Sequence, residues 1–210
     1  MRNFKRALIT GISGSGGSYL AEYIIKNHPK TKVFGIYRNK TENLTRTIRQ
    51  KSNLIRCDLN DFKKTFYSIR KIKPDVIFHL ASNADVKKSF DYPMEIINNN
   101  NNCTLNLLEA VRKAKINPVI QICSTSEVYG IVKKKETPIK ESNPFRPASP
   151  YAVSKAFQDL IAQNYHKNYG LRIIITRMFT YLNPRRTNLF ASHWADQVSK
   201  IEMGKIKILK

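Results

Sequence analysis

Acidic side chains are scarce: 15 Asp and Glu stand against 37 Lys and Arg in 210 residues, a formal net charge of +22. That imbalance admits a polyanionic partner, an anionic substrate or drift in composition. A dense basic block is missing, however. The longest run is Lys133-Lys134-Lys135, and Lys and Arg are spread from Arg2 to Lys210. Nucleic acid is therefore not the expected partner, because segments that bind it concentrate their charge. Asn and Ile are abundant alongside Lys, including the run Asn98 to Asn102, which fits a biased coding composition. Cysteine is sparse as well. Cys57, Cys103 and Cys123 are odd in number and lack CxxC or Cys/His spacing, so no metal is expected and a reducing cytoplasm fits. Cys57 and Cys123 end apolar runs and read as small buried fillers. No apolar stretch approaches the roughly 18 residues of a membrane span, and Ala7-Leu8-Ile9 is too short for a signal peptide. A content of 41% hydrophobic and 25% charged residues excludes a disordered chain.

Short apolar runs alternate with longer helical patterns. Strands are expected at Arg6–Thr10, Lys32–Tyr37, Asn53–Cys57, Asp75–His79, Pro118–Cys123 and Leu171–Arg177. Tyr19, Leu20, Tyr23 and Ile24 form a helical stripe, and helices are expected at Phe62–Ile72, Leu105–Ala114, Tyr151–Tyr169 and Phe190–Met203. Near-continuous apolar strands in strand–helix alternation predict an α/β fold, a doubly wound parallel sheet covered on both faces. After Arg177 the pattern changes: Asn183-Pro184-Arg185-Arg186 reads as a loop and Ile206–Leu209 as the beginning of a strand. The expected division is a nucleotide-binding domain over 1–177 and the start of a second domain over 178–210.

Gly11, Gly14 and Gly17 have GxxGxxG spacing between the first strand and the first helix. Such glycines permit a tight turn and close backbone approach to a pyrophosphate, whose charge meets the helix N-terminus. An acid at the end of the second strand would bind the ribose hydroxyls of NAD. Arg38 stands there instead, with no acid before Glu42, which favours the 2′-phosphate of NADP. Asp58, after the third strand, is placed to accept from the adenine amino group or to cap a helix.

Tyr151 and Lys155 form a YxxxK pair, which shares one helix face. Ser149-Pro150 reads as an N-cap followed by Pro at the first helical position. A nearby ammonium lowers a phenol's pKa and lets it act as a base. The fifth strand runs into Ser124-Thr125-Ser126-Glu127-Val128-Tyr129-Gly130, and ligands of doubly wound sheets bind at the carboxyl ends of strands. Thr125 and Glu127 are thereby expected beside the cofactor.

Together with Asp58-Leu59, His79-Leu80-Ala81 and Ser149 to Lys155, these motifs resemble the extended short-chain dehydrogenase/reductases that act on nucleotide sugars. Within that superfamily, Gly16 to Glu22, Ser124 to Glu127 and Asn183 to Arg186 are most similar to the GDP-mannose 4,6-dehydratase family. The resemblance implies a Rossmann fold with an incomplete C-terminal substrate domain, NADP as cofactor and a GDP-sugar as substrate. It assigns catalysis to Thr125, Glu127, Tyr151 and Lys155. Cofactor contacts fall to Gly11, Ser13, Gly14, Ser15, Gly17, Arg38, Asp58, Leu59, Leu80, Ala81, Ser82, Tyr151, Lys155 and Arg186. Substrate contacts fall to Ser126, Thr180 and Arg185.

The implied reaction is a redox-neutral dehydration of GDP-mannose to GDP-4-keto-6-deoxymannose. Tyr151 takes the 4-hydroxyl proton, Thr125 hydrogen-bonds the 4-oxygen, hydride passes from C4 to NADP⁺, Glu127 removes the C5 proton, water leaves C6 and hydride returns there. Lys155 binds the nicotinamide ribose. A GDP-4-keto-6-deoxymannose reductase, another nucleotide-sugar epimerase, an inactive fragment and a non-enzymatic NADP-binding protein stay open beside it. Cys103 stands where the family carries Gly, Thr180 where it carries Asn, and Tyr181 where it carries His, while Arg186 keeps its type. The family runs on for roughly another hundred residues, so the chain is expected to be truncated, and alone to bind NADP weakly or fold poorly. The family's homo-oligomers are the expected assembly, with the loop from Arg38 to Arg49 a candidate interface.

Overall fold

The computed structural model describes residues 4–181, 183–186 and 190–208. The described chain divides into two compact units, one ending at Phe179 and one starting at Thr180.

Six strands build the first unit's sheet: β1 (Arg6–Thr10), β2 (Lys32–Tyr37), β3 (Ser52–Arg56), β4 (Val76–His79), β5 (Val119–Thr125) and β6 (Arg172–Met178). All pair in parallel, in the order β3-β2-β1-β4-β5-β6. The order reverses between β1 and β4, and that switch point opens the crevice in which such sheets bind ligands. The strands fall within one or two residues of the expected runs, because each centres on adjacent apolar residues.

Alternation along β1 shows how the sheet is covered. Leu8 joins one buried cluster, with Ile77, Ile120 and Ile122 and with Leu107 and Leu108 of α5 (Pro93–Lys113). Ala7 and Ile9 join the other, with Ala21 and Ile24 of α1 (Ser15–Asn27) and Ile48 of α2 (Arg46–Lys51). The first face also receives α3 (Phe62–Ile72) and α6 (Pro150–Tyr169). Gly35 of β2 leaves room for the loop after β1, since a Cβ there would lie 2.3 Å from Ile12 Cδ1. On β6, Ile173 and Ile175 pack toward the core while Ile174 is 55% exposed.

Side-chain caps set several helix starts. Ser149 Oγ accepts from Ala152 N at 3.1 Å, with Pro150 in the first turn, as the sequence predicts. Asp61, not Asp58, caps α3, through Lys64 N at 3.0 Å. Asp58 lies outside the helix and accepts instead from Asn60 N and Nδ2, both at 3.0 Å.

Other expectations are corrected. α5 begins at Pro93 rather than Leu105, so the Asn run is helical. The stretch after Arg38 contains α2, capped by Thr45 and anchored by the buried Leu44 and Ile48. A further short helix, α4 (Val86–Asp91), precedes α5. Cys57 is buried, but Cys123 is only half-buried, because its side chain points to the side of β5 away from α6, beside Met178.

In the second unit α7 spans Phe190–Glu202. The expected strand at Ile206 does not form over 206–208. Gly204 turns left-handed at φ +68, and Lys205 N folds back onto Lys200 O at 2.8 Å. Leu209 lies outside the described residues.

Candidate active site

The loop after β1 is shaped by glycine where backbone meets backbone. Gly11 has φ +71, and a Cβ on it would stand 2.9 Å from Ala81 N and Cα. A Cβ on Gly17 would lie 2.3 Å from Gly11 O. Gly14 caps α1 without a side chain and donates its N–H to Gly11 O at 2.9 Å, and the first turn of α1 carries no acid. Bare helix N–H groups with no competing carboxylate suit a phosphate. Ser13 is buried, its carbonyl accepting from Asn43 Nδ2, and Ser15 opens α1.

At the end of β2, Arg38 donates to Asn99 Oδ1 at 2.9 Å and stands 3.8 Å from Asp58, both side chains being about half exposed. An exposed pair at that distance is worth little, so the guanidinium is available to an anion. Leu59 is a core residue, and its carbonyl accepts from Asn106 Nδ2 at 2.8 Å. Leu80, Ala81 and Ser82 follow β4, with Ala81 set against Gly11.

Thr125 closes β5, and Ser126–Tyr129 make one turn of 3-10 helix. The Thr125 hydroxyl accepts from Glu127 N at 3.3 Å, which leaves its own proton to donate. Glu127 is exposed and Ser126 half-buried. Tyr151 and Lys155 lie on successive turns of α6, 8% and 4% exposed, with Lys155 Nζ 5.9 Å from the Tyr151 ring centre. Lys155 reaches across to β5 and donates to Cys123 O at 2.8 Å. Burial pushes its ammonium down to about 8. One lysine thereby joins the β5 end to the Tyr151 face of α6.

Beneath these groups lies a buried polar layer. His79, at the end of β4, bonds Thr10 Oγ1 through Nδ1 at 2.8 Å and Thr104 Oγ1 through Nε2 at 2.9 Å. Burial, reinforced by the Lys155 charge, pushes its imidazole down to about 3. Asn100 donates to Ser154 Oγ at 2.9 Å and accepts from Asn83 N at 2.7 Å, and Ser154 Oγ donates to Tyr151 O at 2.7 Å. Sequence reasoning gave neither His79 nor Asn100 a role. Asn100 falls in the buried register of α5 with Ile96, Thr104 and Leu107, and that spacing is the signal it left.

The turn carrying Glu127 is held from behind. Arg177, on β6, pairs with the fully buried Asp159 of α6 at 2.8 Å and donates to Tyr129 Oη at 2.8 Å. Its guanidinium lies 5.3 Å from the Tyr129 ring centre and 4.7 Å from that of Phe145. Thr180, Arg185 and Arg186 belong to the second unit, where Thr180 is exposed and Asn183 organises the turn by accepting from Arg185 N and Arg186 N.

Glycine loop, strand order and the Tyr151–Lys155 helix define the extended short-chain dehydrogenase/reductase class. A family model described as GDP-mannose 4,6 dehydratase matches residues 8–210, and the chain belongs to that family. It is 34% identical over 200 residues to a GDP-mannose 4,6-dehydratase of Vibrio cholerae, covering 90% of this chain and 53% of that enzyme. The Homo sapiens GDP-mannose 4,6 dehydratase is 33% identical over 215 residues, covering 96% and 57%. The chain thus spans about half the length of these relatives. Among solved structures, a UDP-N-acetylglucosamine 4-epimerase from Methanobrevibacter ruminantium M1 matches with a TM-score of 0.84 and 30% identity, over all of this chain and 66% of that one. DesIV, a dTDP-glucose 4,6-dehydratase from Streptomyces venezuelae with NAD bound, matches with a TM-score of 0.79 and 27% identity, covering 95% and 62%.

Proposed function

We propose that this chain is the cofactor-binding and catalytic part of a GDP-mannose 4,6-dehydratase that uses NADP. The observation that carries the reading is Lys155, a buried ammonium that spans from Cys123 O on β5 to the Tyr151 side of α6. Family membership supports the substrate, and the relatives named above are called GDP-mannose dehydratases.

The residues present fit a dinucleotide. Gly11 and Gly17 leave space that a Cβ would fill, Gly14 exposes the helix N-terminus, and Arg38 supplies a cation where an NAD-type site has an acid. Asp58 would accept from the adenine amino group. A bound nicotinamide would supply the hydride chemistry, between C4 of the sugar and, later, C6. Lys155 holds a positive charge beside Tyr151, which favours the phenolate and lets Tyr151 accept the 4-hydroxyl proton. Thr125 donates its free O–H to the 4-oxygen. Glu127 takes the C5 proton made acidic by the 4-ketone, and the loss of water from C6 needs this additional acid/base. That need favours a dehydratase over a reductase.

The second unit supplies the beginning of the substrate domain, and the family resemblance assigns Thr180 and Arg185 to the sugar nucleotide and Arg186 to the cofactor. If a full-length protein exists, it would assemble with itself, and Phe90, Met94, Val153 and Leu160 are exposed apolar residues on α4, α5 and α6 suited to that role. Three free thiols fit a reducing cytoplasm. Among the described residues no helix is long and apolar enough to cross a membrane.

Incubation with GDP-mannose and catalytic NADP⁺ tests the reading. A 4-keto-6-deoxy product without net cofactor consumption supports it. Stoichiometric NADPH oxidation with a 4-keto sugar, and none with GDP-mannose, assigns a reductase instead.

A further inference from the structure

His79 is 2% exposed and stands under both halves of the site without lining either. Its proton can be assigned by counting donors and acceptors. Ala81 N donates to Thr10 Oγ1 at 3.3 Å, and Thr10 is itself fully buried. Thr104 Oγ1 donates to Asn100 O at 3.1 Å and accepts from Gln158 Nε2. Gln158 must present its amide nitrogen here, because the same nitrogen faces Asn100 O at 3.0 Å, which can only accept. Were the His79 proton on Nδ1, it would occupy Thr10 Oγ1 and strand the Thr10 hydroxyl proton in the core. With the proton on Nε2, each has an acceptor: Thr10 O–H donates to Nδ1, Nε2–H donates to Thr104, and Thr104 O–H donates to Asn100 O. A doubly protonated ring fails for the same reason, and faces the buried Lys155 charge besides.

The chain of bonds has meaningful ends. Thr10 precedes Gly11, and Ala81 is the backbone against which Gly11 lies. Gln158 is on α6, where Tyr151, Lys155 and Gln158 follow the i, i+4, i+7 spacing of one face. We propose that His79, held as the neutral Nε2–H tautomer, is a positioning residue that fixes the dinucleotide loops at Gly11 and Ala81 relative to the Tyr151–Lys155 face of α6. The proposal rests on the dinucleotide reading of that site.

The test uses the chain itself. Long-range ¹⁵N–¹H correlation of the His79 ring is expected to show protonation at Nε2 alone, unchanged between about pH 5 and about pH 8. A proton on Nδ1, or an imidazolium forming in that range, overturns the proposal. NADPH affinity, read by nicotinamide fluorescence, is expected to fall about tenfold in a folded His79→Leu chain, since misplaced groups bind poorly even when their chemistry is intact. Thr104→Val should weaken binding about threefold or more and Thr104→Ser should restore it. If His79→Leu does not fold, the two Thr104 variants decide alone. Equal NADPH affinity in folded variants and parent overturns the positioning role only. A parent that binds neither NADPH nor NADH overturns the dinucleotide reading and the role with it, while the tautomer is still read independently.

Discussion

The two halves of the sheet serve the site by different means. On the β1–β3 side the contacts are made of backbone: Gly11, Gly14 and Gly17 shape the loop, and the cation expected to meet the cofactor, Arg38, is half exposed. On the β4–β6 side they are made of side chains withdrawn from water, among them His79, Thr104, Asn100, Ser154, Lys155 and Asp159. The first half depends on space and is intolerant of added atoms. The second depends on matched donors and acceptors, and carries a standing electrostatic cost in Lys155.

Substitution of Lys155 tests that contrast most strongly. On the proposed function, Lys155→Met is expected to cut dehydratase turnover on the order of a thousandfold. It should also raise the stability of the chain by about 1–2 kcal/mol, because it removes a buried charge. Denaturant unfolding beside an activity assay reads both, and a Met variant less stable than its parent would contradict the electrostatic account. On the other half, Gly17→Ala should cost about 3 kcal/mol, since the new Cβ meets Gly11 O rather than a movable side chain. A Tm equal to the parent's would show that the loop yields.

Acid should then discriminate the halves. His79 is held near 3, below its ordinary 6.5, so the unfolded chain binds a proton that the folded chain refuses. Its contribution is complete above 6.5 and is lost as pH falls toward 3, at up to about 1.4 kcal/mol per unit. A folded His79→Leu chain should lose one proton's worth of that slope in denaturation curves taken across the range. The smallest structural effect is expected from Arg38→Ala: stability within about 0.5 kcal/mol, but, on the proposed use of NADP, a weakened preference for NADPH over NADH. An unchanged preference would remove Arg38 from the cofactor site.

Legibility in the sequence followed the same division. The strands, the glycine spacing and the Ser149-Pro150 cap are local patterns, and they read correctly. The helix α5 did not, because the Asn98 to Asn102 run reads as coding bias. Asn99 in fact holds Arg38, and Asn100 ties α6 to the loop after β4. Pro93 and Glu95 in the first turn and the buried register through Asn100 were the signals to set against Asn's weak propensity. Asp58 and Asp61 were too alike in sequence to say which caps α3; only the backbone entering the helix decides it. The polar layer around His79 joins residues from 10 to 158, a range over which no local pattern speaks. The strand expected at Ile206 failed because an apolar end is not itself a partner for pairing.

Arg177 has a mechanical consequence. It sits two residues before the end of the first unit, and it is gripped by Asp159, by the Tyr129 hydroxyl and by the faces of two rings. Tension on the chain beyond Phe179 therefore loads this side chain and is transmitted to Tyr129, two residues from Glu127. A pull from that end is shared between the β5–β6 ladder, which pairs Met178 with Thr125, and this side-chain grip behind the turn of Glu127.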